Sequence, residues 1–157
     1  MSNSLTKDFF VKLSVTALIA TLPSKAIAQT LTCVSPLIFG QIIPCGAAGS
    51  VTVRPDNSRT TSCVTASGPF SRARCNVGQS FPFRPIQFSV TTPTVTVTNG
   101  TANMSVSSFN IITNAGGCCT TQTTPSLDVP IGATISVGST QASGSYTGTF
   151  GVTTVLQ

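Results

Sequence analysis

Downstream of residue 29 the chain alternates. TVTVT places Val95 and Val97 on one side and threonines on the other. SVTV does the same with Val51 and Val53, IQFSV with Ile86, Phe88 and Val90, and IGATISV with Ile131, Ala133, Ile135 and Val137. YTGTFGV aligns Tyr146, Gly148, Phe150 and Val152. A period of two puts successive side chains on opposite faces of a strand, and an apolar face backed by a polar one suits an antiparallel sheet with one wet side. No helical period competes with it, and Thr, Ser and Val dominate with Gly and Pro as punctuation. Many short strands at regular spacing predict an all-β fold, a two-sheet, immunoglobulin-like antiparallel β-sandwich.

Turn chemistry supports the same reading. Pro55-Asp56-Asn57-Ser58 is a turn cluster. Asn99-Gly100 predicts a hairpin joining the TVTVT strand to one around Met104–Val106. Apolar parity then changes, from the even Met104 and Val106 to the odd Phe109 and Ile111, which predicts a bulge near Ser107-Ser108.

The first 28 residues read differently. Lys7 and Lys12 give a basic start, Leu13 to Leu22 an apolar core, and Ala26-Ile27-Ala28 a small-residue cleavage site. These are the parts of a secretory signal peptide. The apolar run is too short to span a bilayer as a helix, which takes ~20 residues. The expected organisation is a signal helix over 1–28, cleaved after Ala28, and a single β-sandwich domain over 29–157. Export would place the protein in the periplasm, at the cell surface or outside the cell.

All six cysteines, Cys33, Cys45, Cys63, Cys75, Cys118 and Cys119, follow that cleavage site. An even number in an exported chain reads as a disulfide framework. Zinc is disfavoured by the absence of histidine and of any C-x-x-C pair, and a thioredoxin-like redox site lacks the same motif. Cα atoms of adjacent residues lie ~3.8 Å apart, short of the usual disulfide range, so Cys118 and Cys119 are expected to seek different partners. Cys63 and Cys75 flank Ser67-Gly68-Pro69 almost symmetrically and are expected to bond across a hairpin. Cys33 and Cys45 would then pair with Cys118 and Cys119, in either order.

Charge is sparse. Beyond residue 28 the five arginines Arg54, Arg59, Arg72, Arg74 and Arg84 face only Asp56 and Asp128. With no tryptophan, one tyrosine and no dense basic run, nucleic acid is not an expected partner. Arg72 and Arg74, two apart, would share a strand face and with Arg84 could form a basic patch for anionic envelope polymers.

Two stretches carry a family likeness. PLIFGQIIPCGAAGSVTVRPDNSRT, Pro36–Thr60, holds a Phe-Gly pair, a short loop, an alternating valine strand and a Pro-Asp turn. LDVPIGATISVGSTQASGSYTGTFGVT, Leu127–Thr153, closes on Gly-x-Tyr-x-Gly-x-Phe, which is moderately specific. Together they resemble the bacterial domain-of-unknown-function family 4402, similar in pattern to secreted, pilin-like and spore-coat-like β-sandwich proteins. The likeness covers somewhat under half of the chain beyond residue 28. The segment from Cys63 to Phe83 departs from it with extra cysteines and prolines. The resemblance implies an exported or Gram-negative envelope protein.

Catalysis is not expected. General acid–base work needs a group titrating near the working pH, and histidine, lysine and glutamate are all missing beyond residue 28. The abundant serines lack a base to activate them. Asp56 reads as turn chemistry and Asp128 as a strand start. No cofactor or metal is expected. The leading expectation is a non-enzymatic structural or adhesion-type envelope protein. An accessory or terminal pilin-like subunit, with fimbrial partners, is the alternative. Pilins of the strand-exchanging kind lend an N-terminal arm to a neighbour, and Gln29-Thr30-Leu31-Thr32 before Cys33 is too short for that. A glycan-binding module with Thr- and Ser-rich faces is a third possibility.

Overall fold

The computed structural model describes residues 10–19, 29–80, 84–111, 119–121 and 125–157. All regular elements among them are strands, in chain order β1 (Phe10–Ile19), β2 (Gln29–Ser35), β3 (Leu37–Pro44), β4 (Gly49–Val53), β5 (Arg59–Ser62), β6 (Val64–Ser67), β7 (Ala73–Gln79), β8 (Pro85–Val90), β9 (Thr94–Thr98), β10 (Asn103–Ile111), β11 (Cys119–Thr121), β12 (Ser126–Val137) and β13 (Tyr146–Leu156).

The long strand β12 is the spine of one layer. Its first half pairs with β7 and its second half with β4, while β10 runs along its other edge. Outside these lie β2 on β7, β5 on β4 and β9 on β10. The other layer is built on β13, with β8 and then β11 on one edge and β1, β3 and β6 on the other. Among the described residues a single pair, Thr147↔Thr98, joins β13 to β9. The continuous sheet therefore curls at that seam, and β3 comes to lie against β12, β4 and β7.

Between the layers sits the core that the alternation predicts. Val51, Val53, Val97, Ile131, Ile135, Tyr146, Phe150 and Val152 are all buried, joined by Leu37, Phe39 and Ile42 of β3. Each such side chain contributes on the order of 1.5–3 kcal/mol through burial. The Asn99-Gly100 hairpin forms between β9 and β10, with Asn99 Oδ1 accepting from the Thr101 and Ala102 N–H groups at 2.9 and 2.7 Å. The bulge is also present. Pairing of β10 with β12 shifts between Ser107 and Asn110, and Ser108 takes φ +52°.

Three expectations need correction. The described part of the supposed signal helix, Phe10–Ile19, is a strand. Val11 and Leu13 alternate with Lys12 and Ser14, and that period of two lets the segment bury one face in a sheet. The cleavage site at Ala26–Ala28 lies outside the described residues. Second, the described pairings within 29–157 are antiparallel as expected, but β1 adds a parallel pairing to β13. Third, the cysteines pair differently. The disulfides are Cys33–Cys75 and Cys45–Cys63, not Cys63–Cys75. The predicted hairpin does not form, because Val64–Ser67 pairs with β3 whereas Ala73–Gln79 pairs with β2 and β12. Cys33 and Cys75 are direct partners in the β2–β7 ladder. Cys63, at φ +49° between β5 and β6, faces the end of β3. Cys118 and the side chain of Cys119 lie outside the described residues.

Candidate functional site

The most distinctive site is a strand position. β3 and β13 are not neighbours in the sheet order, and β1 stands between them. Its pairing with β13 runs from Val11↔Tyr146 through Leu13↔Gly148 and Val15↔Phe150 to Ile19↔Thr154. On the other edge it meets β3 at Phe10↔Gln41, Val11↔Gly40, Lys12↔Ile38 and Leu13↔Leu37. Val11 and Leu13 are fully buried, Val15 packs against the core, and Lys12, Ser14 and Thr16 face outward. Gly148 makes the room. A Cβ there would lie 2.8 Å from the Thr96 carbonyl and 3.1 Å from Leu13 Cδ1, so a side chain at 148 would intrude where Leu13 sits.

The β3 wall is shaped by a bulge. The β1–β3 register shifts between Val11 and Lys12, so Phe39 has no partner on β1. Its carbonyl instead accepts from Arg59 Nη1 at 3.2 Å. The same guanidinium donates to the carbonyls of Ala66 at 2.9 Å, Ser67 at 3.2 Å and Gly68 at 3.4 Å, and it lies over the Phe70 ring, 4.5 Å from the centroid. Gly40 follows at φ +92°, where a Cβ would sit 2.5 Å from both Arg59 Nη1 and the Ser67 carbonyl. Glycine is required there for its backbone and for its size. Arg59 thus holds β3, β6 and the loop after β6 together.

The arginines expected to form a basic patch have different partners. Arg72 donates through Nη1 to the Pro55 carbonyl, and its N–H donates to Asn57 Oδ1 at 3.0 Å, which fixes the Pro55–Ser58 turn. Arg74 is held by Asp128 in a two-pronged ion pair, with Nη2 to Oδ2 at 2.8 Å and Nε to Oδ2 at 3.1 Å. The Asp128 hydrogen bonds and charge raise the Arg74 pKa further above its ordinary value. Arg84 lies beyond the far end of β7, where its N–H donates to Gln79 Oε1. At ~3.3 Å per residue, the span of β7 separates it from Arg74.

Asp56 and Asp128 have structural positions. Asp56 Oδ1 accepts from the Ser58 N–H at 2.8 Å, and hydrogen bonding to Ser58 lowers its pKa below 3.8. Asp128 is the Arg74 partner. Tyr146 is core, as expected, with its hydroxyl donating to the Ala142 carbonyl and accepting from Gln141 Nε2, each at 2.8 Å. Phe150 stacks against Phe109 at 5.0 Å. A cleft of about 260 Å³ lies between β1 and the β2–β3 corner, lined by Lys12, Ser14, Val15, Val34 and Pro36 among others. It depends on β1 for one wall.

Sequence reasoning missed the strand slot and Arg59. The alternation of Val11, Leu13 and Val15 was a usable signal, concealed within the broader apolar run. Arg59 offered none, since its partners are backbone carbonyls distant in sequence.

No curated protein matches the chain. A family match covers residues 29–155 and begins after β1. The family is described as Domain of unknown function (DUF4402), and the chain belongs to it.

Proposed function

We propose that this is an exported, non-enzymatic structural protein of the cell envelope, an assembly or adhesion module rather than a catalyst. The observation that carries the reading is the pair of disulfides, Cys33–Cys75 and Cys45–Cys63, stapling an all-β domain. Such bonds persist in oxidising compartments. The leader-like residues 1–28 supply a route there, and the family match starting at residue 29 fits their removal. The aspartates support the non-enzymatic part. Asp56 is committed to its turn with its pKa pushed away from the range of a general base, and Asp128 is committed to Arg74.

Cell fractionation with thiol alkylation and intact mass tests this. The expected result is an envelope or extracellular protein that begins at Gln29 with Cys33, Cys45, Cys63 and Cys75 resistant to alkylation until reduced. A cytoplasmic protein with those four thiols free would overturn it. A role as an accessory or terminal subunit of a fimbrial assembly is favoured by one observation, the strand slot between β3 and β13.

A further inference from the structure

We propose that the processed domain is a strand acceptor, whose slot between β3 and β13 receives an extended, alternately apolar arm from a different envelope subunit, running parallel to β13. The proposal rests on the export reading above, because it requires that residues 1–28 leave.

The slot has a definite chemistry. With β1 in place, Leu37, Phe39, Tyr146, Phe150 and Val152 are buried to 1 % exposure or less. The strand that covers them contributes Val11, Leu13 and Val15 on its inner face and Lys12, Ser14 and Thr16 on its outer face. β1 comes from the leader and lies outside the family match. Removing it leaves two facing strand edges with unpaired N–H and C=O groups and an apolar floor between them. Such an edge is a ready template for another chain, and strand addition satisfies both deficits at once.

The walls of the slot have supports other than β1. β3 is paired with β6 along its other edge, stapled through Cys45–Cys63, and held at its bulge by Arg59. β13 is paired with β8. A framework built this way keeps the slot open and lowers the ordering cost of accepting a strand. The leader segment shows what fits: apolar residues at 11, 13 and 15, the one opposite Gly148 as large as leucine, and polar residues at 12, 14 and 16 between them.

A second copy of this chain is a poor donor. After cleavage its first residues, Gln29–Ser35, are paired along β7 and tied by Cys33–Cys75. β13 is itself a wall of the slot, and the Gln157 N–H donates to the Pro85 carbonyl. Both segments are engaged in the sheet, so neither is an arm that a second copy lends, and the donor is assigned to another subunit.

The test uses protein purified after export, with intact mass defining its N-terminus, and the synthetic peptide FVKLSVTALI of residues 10–19 as probe. The expected result is a one-to-one complex with raised Tm and protection from protease. The same peptide carrying Leu13→Asp should bind about ten- to a hundred-fold more weakly, or worse. If the protein does not survive purification alone, refolding is compared with each peptide, and rescue by the native peptide only is expected. Equal behaviour with both peptides, or none with either, on a protein beginning at Gln29 overturns the slot. Oligomers that complete themselves without peptide overturn the assignment to a different subunit. A protein that retains residues 10–19 instead overturns the export reading, and the slot is then filled by its own chain.

Discussion

Arg59 shows how one side chain can hold what the alternation of a strand cannot. Its fork donates to four backbone carbonyls from β3 to Gly68, and its face covers Phe70. Lysine offers a point charge without the planar fork. Arg59→Lys is therefore expected to lower unfolding stability by about 1–3 kcal/mol in denaturant titration, because carbonyls lose charged donors. A change within experimental error would show that the pin is dispensable. Asp56 acts differently. Its pKa is depressed in the folded state, so its contribution is present above the ordinary value of 3.8 and is lost as pH falls through the lower folded value. Asp56→Asn should flatten the acid limb of stability against pH, and an unchanged limb would contradict the turn's role. Asp56 was legible because turn residues act on near neighbours. Arg59 was not, since no local pattern marks a residue whose partners lie up to 20 positions away.

At the scale of elements, short-range features were legible and long-range pairing was not. Asn99-Gly100 predicts its hairpin from two residues, and the parity change after Val106 predicts the bulge that Ser108 makes. The expected Cys63–Cys75 pairing does not form because Ser67-Gly68-Pro69 is not the tip of a hairpin. Gly68 does turn the chain, at φ +70°, but its flanking segments enter different layers. Alternation says which face of a strand is buried, and it is silent on which strand lies beside it. Peptide mapping should recover Cys33–Cys75 and Cys45–Cys63, and a Cys63–Cys75 peptide would contradict the fold. Replacing Cys33 and Cys75 together by Ser should cost about 2–4 kcal/mol, because the bond closes a separation of 42 residues in the unfolded chain. A loss under about 1 kcal/mol would mean that the β2–β7 ladder holds without it.

For the whole molecule, the all-β class was visible in the period of two, while the completeness of the sandwich was not. A leader and an inserted strand look alike when both are short and apolar. Only the register of Phe10–Ile19 between β3 and β13 separates them. The central claim is that the domain is finished by a strand that it does not keep. Native-state hydrogen exchange on the exported protein, alone and with the residue 10–19 peptide, tests this most directly. Some amides of Leu37–Gln41 and Tyr146–Thr154 should exchange fast in the protein alone and slow markedly with peptide, while those of β12 should be slow in both. Equal protection of the two slot walls with and without peptide, in a protein that begins at Gln29, would contradict it.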